Sequence, residues 1–414
     1  MNSSAIRVCI LGLHFSPEPS GNAPYTTSLA KGLQSAGFEV GVITGYPHYP
    51  EWKTREGYGG WARKERIFGV PIERLRHFVP GKPTGLSRLH MELSFGLRLL
   101  FARWRNPEVV LLVSPALFST ALAVFRAKLT PRRPAIVIWV QDIYSRGLVE
   151  TGGAAGVSAR VAAWIEGRIL GAADEVVVIH ERFREFLVDG LGLNPSTVAV
   201  IRNWTHLPPA PSEGQAEFRS AVGWKDSDFI VLHAGNMGKK QGLENVLQAA
   251  QHAQDKGSPV KFVLLGDGNQ RTRLEELAAG MSHVSFMNSL SDSDFQLALT
   301  SADALLVNEL PGVKDMSVPS KLTSYFNAAK PVIAATDPGS VTAFEMALSK
   351  GGLRVDAASP EDLLAAAETL RREPEKATEM GRHGLNYRKA TLSEDAAIAH
   401  YDGLITSLAT SRSR

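Results

Sequence analysis

Apolar runs of strand length alternate with helical patterns along the whole chain, and this alternation restricts the fold more than any other feature. The runs are continuous in Val, Ile and Leu, which is typical of parallel strands covered by helices on both faces. They lie at Ile6–Leu13, Val40–Thr44, Val109–Val113, Ile136–Val140, Val176–Ile179 and Val198–Ile201, and then at Phe229–Ala234, Val260–Leu265, Val284–Phe286, Ala304–Val307 and Val332–Ala335. The pattern predicts an α/β protein built from two doubly wound, Rossmann-like domains.

A proline-rich segment, NWTHLPPAPSEG at residues 203–214, separates the two series of runs. A chain of 414 residues also exceeds the size at which a single hydrophobic core keeps growing. We therefore expect an N-terminal domain at 1–205 and a C-terminal domain at 206–390. A last helix at 391–414 is expected to pack back toward the N-terminal domain.

The net charge of +3 conceals an excess of basic residues in one segment. Residues 53–105 hold 12 basic and 4 acidic side chains, so this basic segment should meet an anionic partner. Residues 86–105 have helical spacing, and an apolar face flanked by arginines would touch an anionic membrane while the other face packs on the sheet. A helix buried on both sides is the alternative. The apolar positions are Leu86, Leu89, Leu93, Leu97, Leu100 and Trp104, with Met91, Phe95 and Leu99 opposite, between Arg88, Arg98 and Arg103.

Targeting signals and disulfides are not expected. The N-terminal apolar run has no preceding basic region, so it is predicted to be a strand and not a signal peptide. No stretch reaches the roughly 18 apolar residues that a membrane span needs. Cys9 is the single cysteine, which fits a reducing compartment. The sequence predicts a cytoplasmic protein, soluble or peripheral on the inner face of the plasma membrane.

Ligands of parallel α/β sheets collect beyond the carboxyl ends of the strands, so the residues after each run are the candidates for function. After the first run comes HFSPEPSGNAPY, in which Gly21 lies in a turn before a helix start that would attract phosphate or carboxylate. Asp142 follows the fourth run and would orient or deprotonate a hydroxyl. The alternatives are a plain connection at Gly21 and a turn cap at Asp142.

The second domain repeats this arrangement. Glycines allow close approach of the backbone to a ligand, and lysines supply positive charge for phosphates, although lysines are often only solvated. We expect a donor site formed by residues that follow three of its strands: Gly235, Asn236, Lys239 and Lys240, then Gly266 and Asp267, then Met287.

The segment VKDMSVPSKLTSYFNAAKPVIAAT, at residues 313–336, carries the strongest candidates. Ser317 or Ser320 would cap a helix, and Lys321 falls just inside it. A diphosphate at this helix start would meet free N–H groups, the positive end of the helix dipole and an ammonium. Ser324 lies one turn further along.

These segments together resemble the retaining GT-B glycosyltransferases, and among them the colanic-acid biosynthesis enzymes. The resemblance runs through LGLHFSPEPSGNAPYTTSLAKGL, VPGKPTGLSRLHMELSF, WVQDIY, VIRNW, LHAGNMGKKQGLENVLQAA, VLLGDG and VPSKLTSYFNAAKPVIA. It implies transfer of a sugar from a GDP- or UDP-linked donor, with retention and without a required metal or other cofactor, in a cleft between two facing domains. It also implies a lipid-pyrophosphate saccharide as acceptor and no nucleic acid partner.

By the same resemblance, Gly21 would approach the donor phosphates, Lys240 and Lys321 would hold them, and Asp142 would lie near the acceptor. The chain departs from the family pattern at the Glu-x7-Glu positions, which are Met316 and Ser324 here. Asn236 replaces an arginine, and the family's phosphate-binding lysine aligns nearer Gln241. Two alternatives stay open: a sugar-nucleotide epimerase of the same fold, and a GT-B partner protein without catalysis.

Overall fold

The computed structural model describes residues 5–19, 21–82, 84–146, 156–204, 210–312 and 320–412. Its contacts divide the chain into two compact units. Unit 1 comprises Met1–Trp204 and Glu394–Arg414, and unit 2 comprises Thr205–Ser393. Each unit has its own sheet covered by helices, which confirms the predicted α/β class with two Rossmann-like sheets.

Unit 1 contains an eight-stranded sheet of order β3-β4-β2-β1-β5-β6-β7-β8. All neighbours are parallel except β3 and β4. The strand order reverses between β1 and β5, as in a Rossmann sheet. The strands are β1 (Arg7–Gly12), β2 (Glu39–Gly45), β3 (Ala62–Ile67), β4 (Val70–Leu75), β5 (Val109–Ser114), β6 (Ala135–Val140), β7 (Glu175–Val178) and β8 (Val198–Val200).

The hairpin of β3 and β4 lies inside the basic segment and was not predicted. Phe68 and Gly69 connect the strands, both with positive φ (50° and 81°), as the tight turns of β-hairpins require. β3 is an edge strand of sequence ARKERI, so it carries charges on both faces and lacks an apolar run. The basic segment is also not wholly a surface feature, because Arg74 is fully buried and pairs with Glu65.

The helices of unit 1 that precede its last strand flank this sheet. They are α1 (Ala23–Ser35), α2 (Gly85–Phe101), α3 (Leu117–Leu129), α4 (Val157–Leu170) and α5 (Glu181–Glu185).

Helix α2 lies where a helix was predicted, but its faces are reversed relative to the prediction. Met91, Phe95 and Leu99 are the buried face, and α2 packs against α3 on this side of the sheet. Gly96 allows the close approach, since a Cβ there would lie 2.9 Å from the Cα of Ser119. The exposed large apolar residues of α2 are Leu86, Leu93, Leu97 and Phe101, here called the α2 stripe.

Unit 2 contains a six-stranded, fully parallel sheet of order β11-β10-β9-β12-β13-β14, which again reverses once, between β9 and β12. Neighbouring residues of β9, such as Val231 and Leu232, enter separate hydrophobic cores on the two faces. The strands are β9 (Phe229–Ala234), β10 (Val260–Leu265), β11 (Val284–Met287), β12 (Ala304–Asn308), β13 (Val332–Ala335) and β14 (Gly352–Val355). Its helices are α6 (Gln215–Ala221), α7 (Glu244–Asp255), α8 (Arg271–Leu277), α9 (Asp292–Ser301), α10 (Ser320–Asn327), α11 (Val341–Ser349), α12 (Pro360–Arg372) and α13 (Pro374–Thr391).

The last helix, α14 (Glu394–Arg412), belongs to unit 1. It packs on α1 at Gly32, where a Cβ would lie 2.5 Å from Cδ1 of Ile398. Tyr401 is fully buried beside Trp139, with ring centroids 5.5 Å apart. Among the described helices of both units, none is long and apolar enough to cross a membrane.

Candidate functional site

The sheet of unit 2 reverses its strand order between β9 and β12, and ligands of such sheets bind beside the strand ends at this point. The loops after β9, β10 and β11 meet here. Gly266 N donates to the carbonyl of Met287 (3.0 Å), and Met237 N donates to the carbonyl of Asp267 (2.8 Å). A Cβ on Gly266 would lie 2.2 Å from the carbonyl oxygen of Gly235, so only glycine fits.

Lys321 extends from the first turn of α10 toward the same glycine loop. A Cβ at Gly235 would lie 3.0 Å from Cε of Lys321, so glycine at this position leaves room for the lysine side chain. Its Nζ lies 3.0 Å from Nε2 of His233 near the carboxyl end of β9. Burial lowers the pKa of Lys321 to about 8, opposed by the charge of Glu309. The pKa therefore lies just above physiological pH, where the ammonium form still predominates, and an anionic ligand would favour this charged form further.

His233 fixes the direction of the Lys321 ammonium. Its Nδ1 lies 3.2 Å from the carbonyl oxygen of Leu306 on β12, so Nδ1 carries the proton and donates. Burial, together with the charge of Lys321, holds the pKa of His233 well below its usual range. The neutral ring therefore accepts a hydrogen bond from Lys321 at Nε2. The hydrogen bond from His233 to Leu306 joins β9 and β12, the two strands between which the sheet order reverses.

The other donor-site candidates of unit 2 lie around this centre. Lys239 and Lys240 form an exposed turn after β9, and the Lys240 carbonyl accepts from Leu310 N (2.8 Å). Asn236 and Asp267 are exposed. Ser320 begins α10 and Ser324 lies half-buried one turn later, whereas Ser317 is outside the described residues.

In unit 1, the corresponding reversal point lies between β1 and β5. Gly21 adopts a left-handed conformation (φ 66°) immediately before α1. Asn22 ties this helix start to β5, because its Nδ2 donates to the carbonyl of Ser114 (3.1 Å). The predicted turn at Gly21 thus lies at the strand end where a ligand of this unit would bind.

Asp142 follows β6 at the same edge of the sheet of unit 1. Solvent reaches its carboxyl, yet the surrounding protein desolvates it enough to raise its pKa to about 6. The turn after it is capped by Glu166, whose carboxylate accepts from the backbone N–H groups of Tyr144 (2.8 Å) and Ser145 (3.0 Å). Among the described residues Asp142 accepts no hydrogen bond. Glu166, and not Asp142, therefore caps the turn that follows β6.

Comparison with known proteins decides the family. Residues 20–204 match the Glycosyl transferase 4-like domain, and residues 214–386 match Glycosyl transferases group 1. The chain is 30% identical over 333 residues to the putative colanic acid biosynthesis glycosyl transferase WcaI of Escherichia coli, covering 77% of this chain and 80% of that protein. The chain belongs to the family-4 type of GT-B glycosyltransferases.

Solved GT-B structures share the fold over nearly the whole chain. Sucrose-phosphate synthase from Thermosynechococcus elongatus superposes with a TM-score of 0.71 at 17% identity, covering 98% of this chain and 100% of that one. The Anabaena protein HepE, crystallised in complex with UDP, has a TM-score of 0.70 at 13% identity, covering 96% of this chain and 99% of that one.

Two residues of the candidate site in this glycosyltransferase, His233 and Glu309, were missed by sequence reasoning. His233 was visible as the single polar residue in the run FIVLHA, at the strand end where a functional side chain is expected. Glu309 follows β12 and is half-buried, with a carboxylate that accepts from Thr336 and Thr342. Its burial raises its pKa. Nothing in the sequence pattern indicated that these threonines approach it.

Proposed function

We propose that this glycosyltransferase moves a sugar, with retained configuration, from a GDP- or UDP-linked donor to a lipid-linked saccharide of a cell-surface glycan. The donor diphosphate binds unit 2 and the acceptor binds unit 1. The Lys321 ammonium, held by His233 beside Gly235, is the observation that carries the proposal. The similarity to the colanic acid enzyme supports the class of product, and the resemblance to retaining enzymes supports the stereochemistry.

Charge neutralisation of the leaving diphosphate is assigned to groups of unit 2. Lys321 supplies a positive charge in a desolvated position, where an electrostatic contact is stronger than in water. The N-terminal end of α10 and the exposed Lys239 and Lys240 add positive potential. These groups would neutralise the negative charge that a divalent cation neutralises in metal-dependent transferases. We therefore propose a reaction without a required metal. HepE, whose structure holds UDP, supports a nucleotide donor.

The acceptor side of the proposal rests on the α2 stripe. Leu86 and Phe101 are 81% and 88% exposed on the solvent side of α2. Apart from Arg74 and Arg98, the basic side chains of residues 53–105 are exposed. Exposed apolar side chains among cations are typical of a surface that binds an anionic membrane. We propose that the enzyme acts at the cytoplasmic face of the plasma membrane, where a lipid-linked acceptor is anchored.

Nucleoside diphosphates are expected to raise the melting temperature of the enzyme. A ligand at 100 times its Kd stabilises the native state by about 2.7 kcal/mol, which for a unit of this size amounts to roughly 5–10 °C. Thermal-shift measurements with GDP, UDP and dTDP test this and identify the base. Guanosine and uridine are the controls, because they lack the diphosphate that Lys321 would bind. An unchanged melting temperature with all three diphosphates would contradict donor binding.

Removing the two apolar side chains at the C-terminal end of the α2 stripe is expected to release the protein from membranes. Burying one Leu or Phe side chain is worth roughly 1.5–3 kcal/mol. Leu97→Ser with Phe101→Ser should therefore lower partitioning onto phosphatidylcholine vesicles containing phosphatidylglycerol about a hundredfold or more. Flotation measures the bound fraction. Leu348→Ser, at an exposed leucine of unit 2, should float like wild type. Wild-type protein that does not float with these vesicles would refute the surface assignment.

A further inference from the structure

A cavity of about 710 Å³ lies at the amino-terminal edge of the sheet of unit 1, beside the starts of β5 and β6. Its volume is in the range of small-molecule sites. The candidate residues of this unit follow the carboxyl ends of the strands, and six-residue strands separate the two edges by roughly 20 Å. The cavity is therefore distinct from the proposed acceptor site. It is here called the arginine cavity, because its lining includes Arg103, Arg105, Arg126 and Arg132.

The charges of the arginine cavity are strongly unbalanced. Its other charged lining residues are Lys64 and Glu73, which lie opposite each other in the hairpin of β3 and β4, so their charges offset each other. The four arginines remain without an acidic counterpart in the lining. Among the described residues, Arg103, Arg105 and Arg132 form no ion pair and no side-chain hydrogen bond. Such arginines around one cavity favour a phosphate, which the planar guanidinium binds through two hydrogen bonds at once.

Part of the lining is fixed in position without a ligand. The guanidinium of Arg126 lies over the ring of Trp104, 4.1 Å from its centroid, and donates to the carbonyl of Leu99 near the end of α2. Nε1 of Trp104 donates to the same carbonyl (3.2 Å). Trp104 is buried, whereas Arg103 and Arg105 on either side of it in the chain are exposed. The buried ring thus holds the backbone of both arginines in place, which lowers the entropic cost of binding an anion.

Exposed apolar side chains border the arginine cavity on two sides. Phe101, the last residue of α2 and of the α2 stripe, lines the cavity and is 88% exposed. Thr130 also lines it and directly follows α3, on which Leu129 and Phe125 are 67% and 58% exposed. A dissolved phosphate compound would use only the arginines. Phosphate-binding cations next to exposed apolar side chains match an amphiphile that carries both a phosphate and acyl chains.

We propose that the arginine cavity binds the phosphate of an anionic phospholipid headgroup, while the acyl chains of that lipid lie against Phe101 and Leu129. This inference rests on the membrane surface of the proposed function. Helix α2 begins after β4, at the carboxyl edge of the sheet, and ends at this cavity. A bound headgroup therefore fixes the C-terminal end of α2 at the membrane. The other end of the α2 stripe, Leu86, then lies at the edge of the sheet where the acceptor is proposed to bind.

Short-chain lipids test the arginine cavity without a membrane. Dihexanoyl-phosphatidylglycerol, kept below its critical micelle concentration, should bind the full chain in isothermal calorimetry. Arg103→Gln with Arg132→Gln should weaken this binding roughly thirtyfold, since each arginine close to an anionic lipid contributes a factor of about five. The melting temperature of this double variant should match wild type, because both side chains are exposed and make no contact that the fold requires.

Matched controls separate the cavity from general charge and from the phosphate alone. Arg76→Gln with Lys82→Gln removes two charges from exposed positions of the basic segment outside the cavity, and it should bind the short-chain lipid like wild type. Glycerol 3-phosphate, which has no acyl chains, should bind about tenfold or more weakly than the lipid. Equal affinity for both compounds would overturn the lipid assignment in favour of a dissolved phosphate. Equal affinity of wild type and Arg103→Gln with Arg132→Gln for the lipid would overturn the site.

Flotation distinguishes a failure of this inference from a failure of the proposed membrane surface. Wild-type protein should float with phosphatidylcholine vesicles containing phosphatidylglycerol and should also bind the short-chain lipid. Protein that floats but does not bind dihexanoyl-phosphatidylglycerol would refute the arginine cavity alone. Protein that neither floats nor binds this lipid would refute the membrane surface and the cavity together.

Discussion

Replacing Lys321 by Ala is expected to weaken the binding of nucleoside diphosphates by roughly a hundredfold, about 3 kcal/mol. The ammonium sits in a desolvated position next to the glycine loop, so its contact with a phosphate is screened little by water. The substitution also leaves Nε2 of His233, a fully buried ring, without its donor. Isothermal calorimetry with the diphosphate selected by thermal shift measures the loss.

The uptake of protons on binding is a second observable that tests the role of Lys321. Burial lowers the pKa of Lys321 to about 8 in the free enzyme, and a bound diphosphate should raise it again because it favours the ammonium. Binding near pH 8 should therefore take up protons. The affinity should fall as the pH rises above 8, by up to about tenfold per pH unit. Calorimetry in buffers of different ionisation enthalpy measures the uptake.

Two variants separate charge from packing in this experiment. Lys321→Met keeps the length of the side chain and removes its charge, so it should bind as weakly as Lys321→Ala and take up no proton. Lys256→Ala removes an exposed lysine after α7 and should bind like wild type. Unchanged affinity in Lys321→Met, with its melting temperature preserved, would show that the diphosphate does not contact this lysine.

The fold was predictable where both faces of a strand are buried. β9 and β10 are continuous apolar runs because each packs helices on both sides, and this pattern is readable without the structure. β3 and β14 are edge strands with exposed or half-buried side chains, so ARKERI and GLRV carry no comparable signal. The faces of α2 were assigned wrongly because both are apolar, and only the packing on α3 shows which is buried.

The site was predictable to the level of strand ends but not of contacts. Gly235 and Lys321 were chosen as candidates because one follows a strand and the other begins a helix, and the structure brings them together. Lys321 is oriented by the hydrogen bond that it donates to His233, 88 residues earlier in the chain. Likewise, Glu166 of α4 caps the turn after Asp142, and no local sequence pattern predicts this contact. Local sequence rules describe neighbours in the chain, whereas these pairs are created by the sheet order.

Replacing Asp142 by Asn is expected to lower sugar transfer roughly a hundredfold while donor affinity stays unchanged. The carboxylate is proposed to orient the acceptor by accepting a hydrogen bond from one of its hydroxyls, and misorientation of a reacting group costs about that factor. Asn preserves the shape but replaces the charged acceptor with a weaker amide. Since Glu166 caps the following turn, the substitution should leave the melting temperature unchanged.

The raised pKa of Asp142 sets the pH range in which this orientation works. Desolvation brings the pKa to about 6, so the carboxyl gains a proton as the pH falls from 7 to 5, and wild-type turnover should fall with it. Carbon-detected NMR of the labelled carboxyl should give a midpoint near 6, against an ordinary value of about 3.9. Asp189→Asn, at an exposed aspartate of unit 1, is the matched control and should turn over like wild type. Full transfer activity in Asp142→Asn at pH 7 would remove Asp142 from the acceptor site, because an amide cannot replace a charged acceptor without loss.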